Sequence, residues 1–110
     1  MPTLQEAQEL AKRKLGPGEQ LLDVVAGPIA GEAFNSIVAL TTTHLRIIIP
    51  SGGSAFELSS ISTISWAPAW ARLNIDLKSP RRRLVLAVFG SEWKTRAKAL
   101  ADAAKPHIPK

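Results

Sequence analysis

"RLNIDLKSPRRRLVLAVF", residues 72–89, carries the clearest periodicity in the chain. Leu73, Ile75 and Leu77 alternate with Asn74, Asp76 and Lys78, and Leu84, Leu86 and Val88 resume the alternation further on. Successive side chains of an extended chain point to opposite faces, so the pattern predicts two strands, each with one face against a core. Ser79-Pro80 breaks the pattern between them and marks a turn. Lys78, Arg81, Arg82 and Arg83 therefore belong to the tip of a hairpin.

The same period of two extends upstream. "QLLDVVAG" (20–27), "SIVALTT" (36–42), "HLRIIIP" (44–50), "SAFELS" (54–59) and "ISTISWA" (61–67) read as five further strands. Gly27-Pro28 is expected to end the first, with "PIAGEAFN" (28–35) as a loop. Pro50-Ser51-Gly52-Gly53 and Ala67-Pro68-Ala69 are expected turns. Seven short strands joined by short turns imply an antiparallel meander in a sandwich or barrel.

The period is helical at both ends. Thr3 and Glu6 form a T-x-x-E capping box, in which each side chain satisfies a free backbone N–H. Leu4, Ala7, Ala11 and Leu15, with Leu10 beside them, make a narrow apolar stripe, and Gly16-Pro17-Gly18 stops the helix. Lys12, Arg13 and Lys14 suit the negative end of the helix dipole. Beyond Gly90, Ser91 is the expected N-cap. Trp93, Ala97, Leu100, Ala101 and Ala104 follow on one face, opposite Lys94, Arg96, Lys98 and Asp102. Pro106 ends that helix. The expected organisation is an amphipathic helix (1–16), a β-rich domain with its closing helix (17–105) and a tail (106–110).

This order of elements resembles the bacterial pleckstrin-homology-like (PH-like) domains over about residues 16–105. The resemblance is carried by "GPGEQLLDVVAG", "SIVALTTTHLRIII", "FELSSISTISW", "LNIDLKS", "RLVLAVFG" and the closing helix. Gly18-Glu19 stand where the family opens with Gly-Glu, and Leu40-Thr41-Thr42-Thr43-His44-Leu45 correspond to its Leu-Thr-x-x-Arg-Leu. His44 departs from that arginine, and Ser60 from the aspartate the family often has before the isoleucine. The resemblance implies an α+β, mainly β fold: a seven-stranded antiparallel split barrel with a C-terminal capping helix, here with an extra N-terminal helix. It also implies that Trp93, Ala97 and Leu100 cap the core.

The 110 residues suffice for one domain, and 45% hydrophobic with 21% charged residues is a globular composition. Without cysteine there is no disulfide, thiolate nucleophile or zinc–cysteine site, which fits a reducing compartment. The polar amino terminus predicts no secretory signal, and the apolar run of 45–50, interrupted by Arg46, is far short of the roughly 20 residues of a membrane helix. A cytoplasmic protein is expected. The abundance of Ala and Arg fits a GC-rich bacterial or phage genome.

Catalysis finds no support in the residue types. The two histidines, His44 and His107, have no G-x-S-x-G partner, and Asp23, Glu57 and Asp76 are dispersed on strands without paired spacing. No phosphate-cradling glycine motif stands between a strand and a helix. No enzyme activity, cofactor or metal is expected.

Binding is the remaining class. Net charge is +5 with a pI near 10.1, which admits an acidic partner. Arg81, Arg82 and Arg83, assisted by Lys78, form a candidate phosphate or anionic-lipid site through bidentate guanidinium forks. The alternative reading is a solvated hairpin tip. The resemblance places this loop at the end where eukaryotic relatives bind phosphoinositides, yet residues 27–36 hold no Lys or Arg and "PSGGS" is uncharged. Nucleic acid is set aside because no aromatic flanks the arginines. Trp70, in "SWAPAWARL", is a candidate protein-interface or membrane-interface residue, or else folds back over the barrel end. The stripe of Leu4, Leu10 and Leu15 is a candidate for packing on the barrel or on another subunit. The leading expectation is a non-enzymatic binding or scaffolding module that acts through protein contacts and self-associates as a homo-oligomer.

Overall fold

The alternation read from residues 72–89 recurs in a sheet of seven antiparallel strands among the described residues, in a computed structural model that describes residues 2–30, 33–49, 52–78 and 81–108. Helix α1 (Leu4–Arg13) precedes β1 (Leu21–Ile29), β2 (Ala33–Thr41), β3 (His44–Ile49) and β4 (Gly52–Glu57). A 3-10 turn (Leu58–Ser60) leads to β5 (Ile61–Ala67), β6 (Arg72–Leu77), β7 (Arg82–Ala87) and helix α2 (Ser91–Ala104), which a second 3-10 turn (Lys105–His107) closes. The spatial order is β4-β3-β2-β1-β7-β6-β5, so two consecutive meanders meet only where β1 touches β7. The result is mainly β, barrel-like, with a helix before and a helix after the strands.

That seam lies where the sequence reading placed a strand end. β1 pairs with β2 along its length, with register shifts between Leu21 and Asp23 and between Gly27 and Ile29, and beyond the second shift Ile29 lies opposite both Ala33 of β2 and Leu86 of β7. The Ala30 amide donates to the Val85 carbonyl at 3.1 Å. Gly27 and Pro28 are thus inside β1, and the loop expected at 28–35 is shorter, because residues 33–35 already belong to β2. The cause is a bulge, which draws on the same residue types as a turn: Pro28 has no N–H to give to a ladder. A Cβ on Gly27 would stand 2.1 Å from the Ala87 carbonyl oxygen, so glycine is what lets the two meanders cross.

The register sorts the core. Val25, Val38, Leu40, Leu45 and Ile47 share the inner face, where Leu73, Ile75, Leu84 and Leu86 of the second meander are also buried. Helix α2 buries Trp93, Ala97, Leu100, Ala101 and Ala104 and packs against β1 and β5, as a capping helix does. Its N-cap is Gly90, at φ 89°, with Ser91 already helical, which corrects the expected Ser91 cap. Ile108, expected in the tail, packs against the core, and its amide donates to Ala104.

The opposite face of β1 and β2, bearing Val24, Ala26, Ile37 and Ala39, is buried as well. Helix α1 packs on these two strands through Ala7 and Ala11, both fully buried, so the helix shares the domain core. Its capping box is formed as expected, with the Glu6 amide donating to Thr3 Oγ1 at 3.2 Å and the Thr3 amide to Glu6 Oε1 at 3.1 Å.

A buried ion pair holds the segment between α1 and β1. Glu19, its side chain 3% exposed, takes Arg46 Nη2 at 2.6 Å on Oε1 and Arg46 Nε at 3.0 Å on Oε2. The Gly16 amide donates to Oε1 at 2.7 Å, and the buried Thr41 hydroxyl donates to Oε2. Thr41 Oγ1 accepts in turn from the amides of Thr43 (3.2 Å) and His44 (3.0 Å), so the carboxylate is wired into the β2–β3 turn.

Two measurements test these constraints. Gly27→Ala should cost at least ~2 kcal/mol in urea unfolding, because the close crossing leaves no room for a methyl group. The Arg46 guanidinium, helped by the Gly16 amide and Thr41 against the opposing effect of burial, holds the Glu19 carboxyl at about 2 rather than 4.5. Its contribution, roughly 3 kcal/mol, is therefore complete above the unfolded-state value and is lost as pH falls from there through the folded value. Glu19→Gln should lose about 2–3 kcal/mol at neutral pH and show a flatter stability profile across that acid window.

Candidate functional site

The arginine run divides because neighbouring strand residues face opposite sides. Arg82 pairs across the ladder with Leu77 and faces inward with Leu84, while Arg83 pairs with Asp76 on the outside. Arg83 Nε donates to Asp76 Oδ1 at 2.7 Å and its Nη2 to Oδ2 at 3.2 Å. Thr63 Oγ1 adds a bond to Oδ2 at 2.9 Å from β5. The Arg83 guanidinium holds the Asp76 carboxyl below its ordinary range, and the carboxylate in return raises Arg83. Arg83 is thus engaged in an intramolecular fork with Asp76. Lys78 and Arg81 are exposed, with the Lys78 amide donating to the Ser60 carbonyl at 2.8 Å. A polar groove of about 440 Å³ runs here, lined by Ser62, Asp76, Leu77, Arg81, Arg82 and Arg83.

Trp70 projects from the opposite end of this meander and is 77% exposed, which settles the open alternative in favour of solvent. Because Ala67 pairs with Arg72, residues 68–71 form a four-residue hairpin loop. The Trp70 amide donates to Ala67 at 3.3 Å and the Ala71 amide to Pro68 at 3.4 Å. Arg72 Nη1 folds back to the Trp70 carbonyl at 3.1 Å. Ala71 sits at φ 51°, a left-handed conformation costly for a residue with a Cβ. The Trp70 backbone is therefore pinned from both sides.

Phe89 was missing from the sequence-based candidates. The Val88 amide donates to the Ala71 carbonyl at 3.0 Å, which carries the β6–β7 ladder past the Arg72–Ala87 pair and brings Phe89 to the Trp70 end. It is 58% exposed. The signal was present: if Leu84, Leu86 and Val88 face inward, Phe89 faces out.

The leucine stripe of α1 separates. Leu4 is half-buried against the core, Leu10 stands 37% exposed, and Leu15, beyond the end of α1 at Arg13, is half-buried. Trp66 is half-buried and packs on the core.

The dispersed carboxylates stay apart. Asp76 is joined to Arg83, Glu57 is exposed at the end of β4, and Asp23 Oδ1 lies 3.7 Å from Arg96, with burial pushing its carboxyl up. His44 Nδ1 lies 2.8 Å from Thr43 Oγ1 and 3.7 Å from Glu19, while His107 is exposed in the last 3-10 turn. No helix is long and apolar enough to cross a membrane among the described residues. In comparisons with protein-family models and with curated proteins, nothing matches this chain.

Ala71→Gly should raise stability by about 0.5 kcal/mol, the relief of left-handed strain exceeding the added flexibility of the unfolded chain. Thermal unfolding of the variant checks the sign.

Proposed function

We propose that the protein is a non-enzymatic binding or scaffolding module of the PH-like type that acts through protein contacts, including contacts with copies of itself. The observation that carries this reading is the pair of exposed aromatics, Trp70 and Phe89, at one end of the second meander. Aromatic side chains offer large contact areas with little entropy to lose, and they dominate binding energy where they are buried between partners. The loop beneath Trp70 is fixed by its own hydrogen bonds, so little ordering of its backbone remains to be done on binding. An aromatic patch is also self-complementary, which suits a two-fold contact between identical subunits.

The PH-like assignment is supported by the strand order, by the helix that closes the barrel and by Glu19. The glutamate of the Gly-Glu pair is the buried anchor ahead of the first strand. Contact with anionic lipid through Lys78, Arg81, Arg82 and Arg83 ranks second, because the Asp76 fork occupies Arg83. A single flat membrane could not engage both features, since Arg82 and Phe89 mark opposite ends of β7, about 20 Å apart at the rise of an extended chain.

Light scattering after size exclusion tests the proposal. The wild-type mass should be a multiple of 11.8 kDa and should fall to that of a monomer in a Trp70→Ser/Phe89→Ser double variant. Both side chains are exposed, so unfolding free energy should stay within about 0.5 kcal/mol of wild type. A monomeric wild type at high concentration would remove the self-association.

A further inference from the structure

One buried hydroxyl stands apart from the hydrogen-bond network. Ser36 is 1% exposed, and its Oγ is the one buried side-chain nitrogen or oxygen without a hydrogen-bond partner among the described residues. Such a hydroxyl is costly, because no bond offsets the water it has lost, and alanine would avoid the cost. The strand register says where it lies. Ser36 pairs with Gly27 and shares its parity with Val38 and Leu40, so it faces the interior from β2. Gly27, opposite, has no side chain to bond it. The ladder that sets Ile37 opposite Ile48 brings Ser36 level with Ile49 of β3.

Ile49 is one wall of a hollow. Toward the end of β7 remote from Phe89, a cavity of about 90 Å³ is lined by Ile29, Ile47, Ile49, Phe56 and Leu84. Gly53 and Ser54 of β4, both exposed, complete its rim. Ile29 on β1 and Ile49 on β3 flank the strand that carries Ser36. The unpaired hydroxyl is therefore at the base of an aliphatic chamber.

We infer that this chamber binds a small uncharged aliphatic molecule through a single hydroxyl or carbonyl group, which pairs with Ser36 Oγ. Three constraints define the ligand. The hollow is smaller than the ~150 Å³ void that admits a benzene ring, so it takes roughly four or five non-hydrogen atoms and rejects an aromatic ring. Its walls are mainly aliphatic, so the body of the ligand is hydrocarbon. The polar group is neutral, since an ionised one would give up its hydration for one hydroxyl. Arg82 also borders the hollow, but it already has its own interaction within the chain and takes no part. Branched alcohols of this size meet all three constraints. Binding turns an unpaired hydroxyl into a paired one, so Ser36 burdens the free protein and serves the loaded one. This goes beyond self-association at Trp70 and Phe89, which stand at the other end of β7.

The test titrates isobutanol into the full chain and follows its amide and methyl resonances. Saturable shifts should appear at Ser36, Ile29, Ile47 and Ile49, with half-saturation at about 1 mM. Benzyl alcohol, which is too large, and isobutyrate, which is charged, should bind about 10-fold more weakly or worse. Ser36→Ala should weaken isobutanol about 10-fold. Without ligand, its thermal midpoint should equal or exceed that of wild type, as removal of an unpaired hydroxyl predicts. The comparison of the three ligands on wild-type protein needs no variant. No saturable binding of isobutanol, equal affinity in Ser36→Ala, equal affinity for isobutyrate, or shifts confined to the Trp70 loop would overturn the inference. So would a lowered midpoint for Ser36→Ala, which would give the hydroxyl a bond in the free fold, or a water on Ser36 that isobutanol does not displace. The Trp70→Ser/Phe89→Ser variant should bind isobutanol as wild type does, so the two proposals fail separately.

Discussion

Two meanders become one domain because a strand without a side chain at Gly27 can pass against the carbonyl of Ala87. Consecutive hairpins account for every other strand pairing in the sheet. At this one place the chain adds a neighbour from the far end of the sequence, with Ile29 opposite both Ala33 of β2 and Leu86 of β7. The angle at which the halves meet sets everything beyond it: the interior that α2 closes, the separation of Trp70 from Arg82, and the hollow under β4. A methyl group at Gly27 would push on backbone, which cannot rotate away as a flexible side chain can.

The buried Glu19–Arg46 pair acts at a different level. Its members are separated by 27 positions, and they join the chain entering β1 to the outer face of β3. Desolvating a carboxylate is costly, and the cost is offset here because the fork, the Gly16 amide and the Thr41 hydroxyl use its oxygens in full. The pair fixes where α1 leaves the sheet, and so keeps Ala7 and Ala11 over β1 and β2.

What the sequence made legible follows from the range of each signal. Alternation at 72–89 is local, and it identified the hairpin and its buried face without help from the rest of the chain, as the 3.6-residue period after Gly90 identified the closing helix. Gly27-Pro28 misled because a bulge and a turn both select residues that break a ladder, and only the partner strand distinguishes them. The Ser91 cap failed for a similar reason, since Gly90 at positive φ performs the same termination one residue earlier. The arginines illustrate a reading not carried far enough: strand alternation alone implies that Arg82 and Arg83 point apart, although nothing local identifies Asp76 as the partner. Glu19 and Arg46 have no shared period, and their meeting becomes visible only once three strands are in register.

The double cover of β1 and β2 has a consequence for how the molecule breathes. Backbone amides in strands buried on both faces open only with the whole domain, whereas those at a sheet margin open in small, cheap fluctuations. Val24 to Gly27 and Ser36 to Thr41 are buried residue after residue, while β4 is exposed along most of its length. Hydrogen exchange would therefore grade outward from the strands under α1 to the margin at β4. The part of the chain that keeps its shape longest is the part covered on both faces, and the most yielding strand is one that, among the described strands, has a neighbour on one side alone.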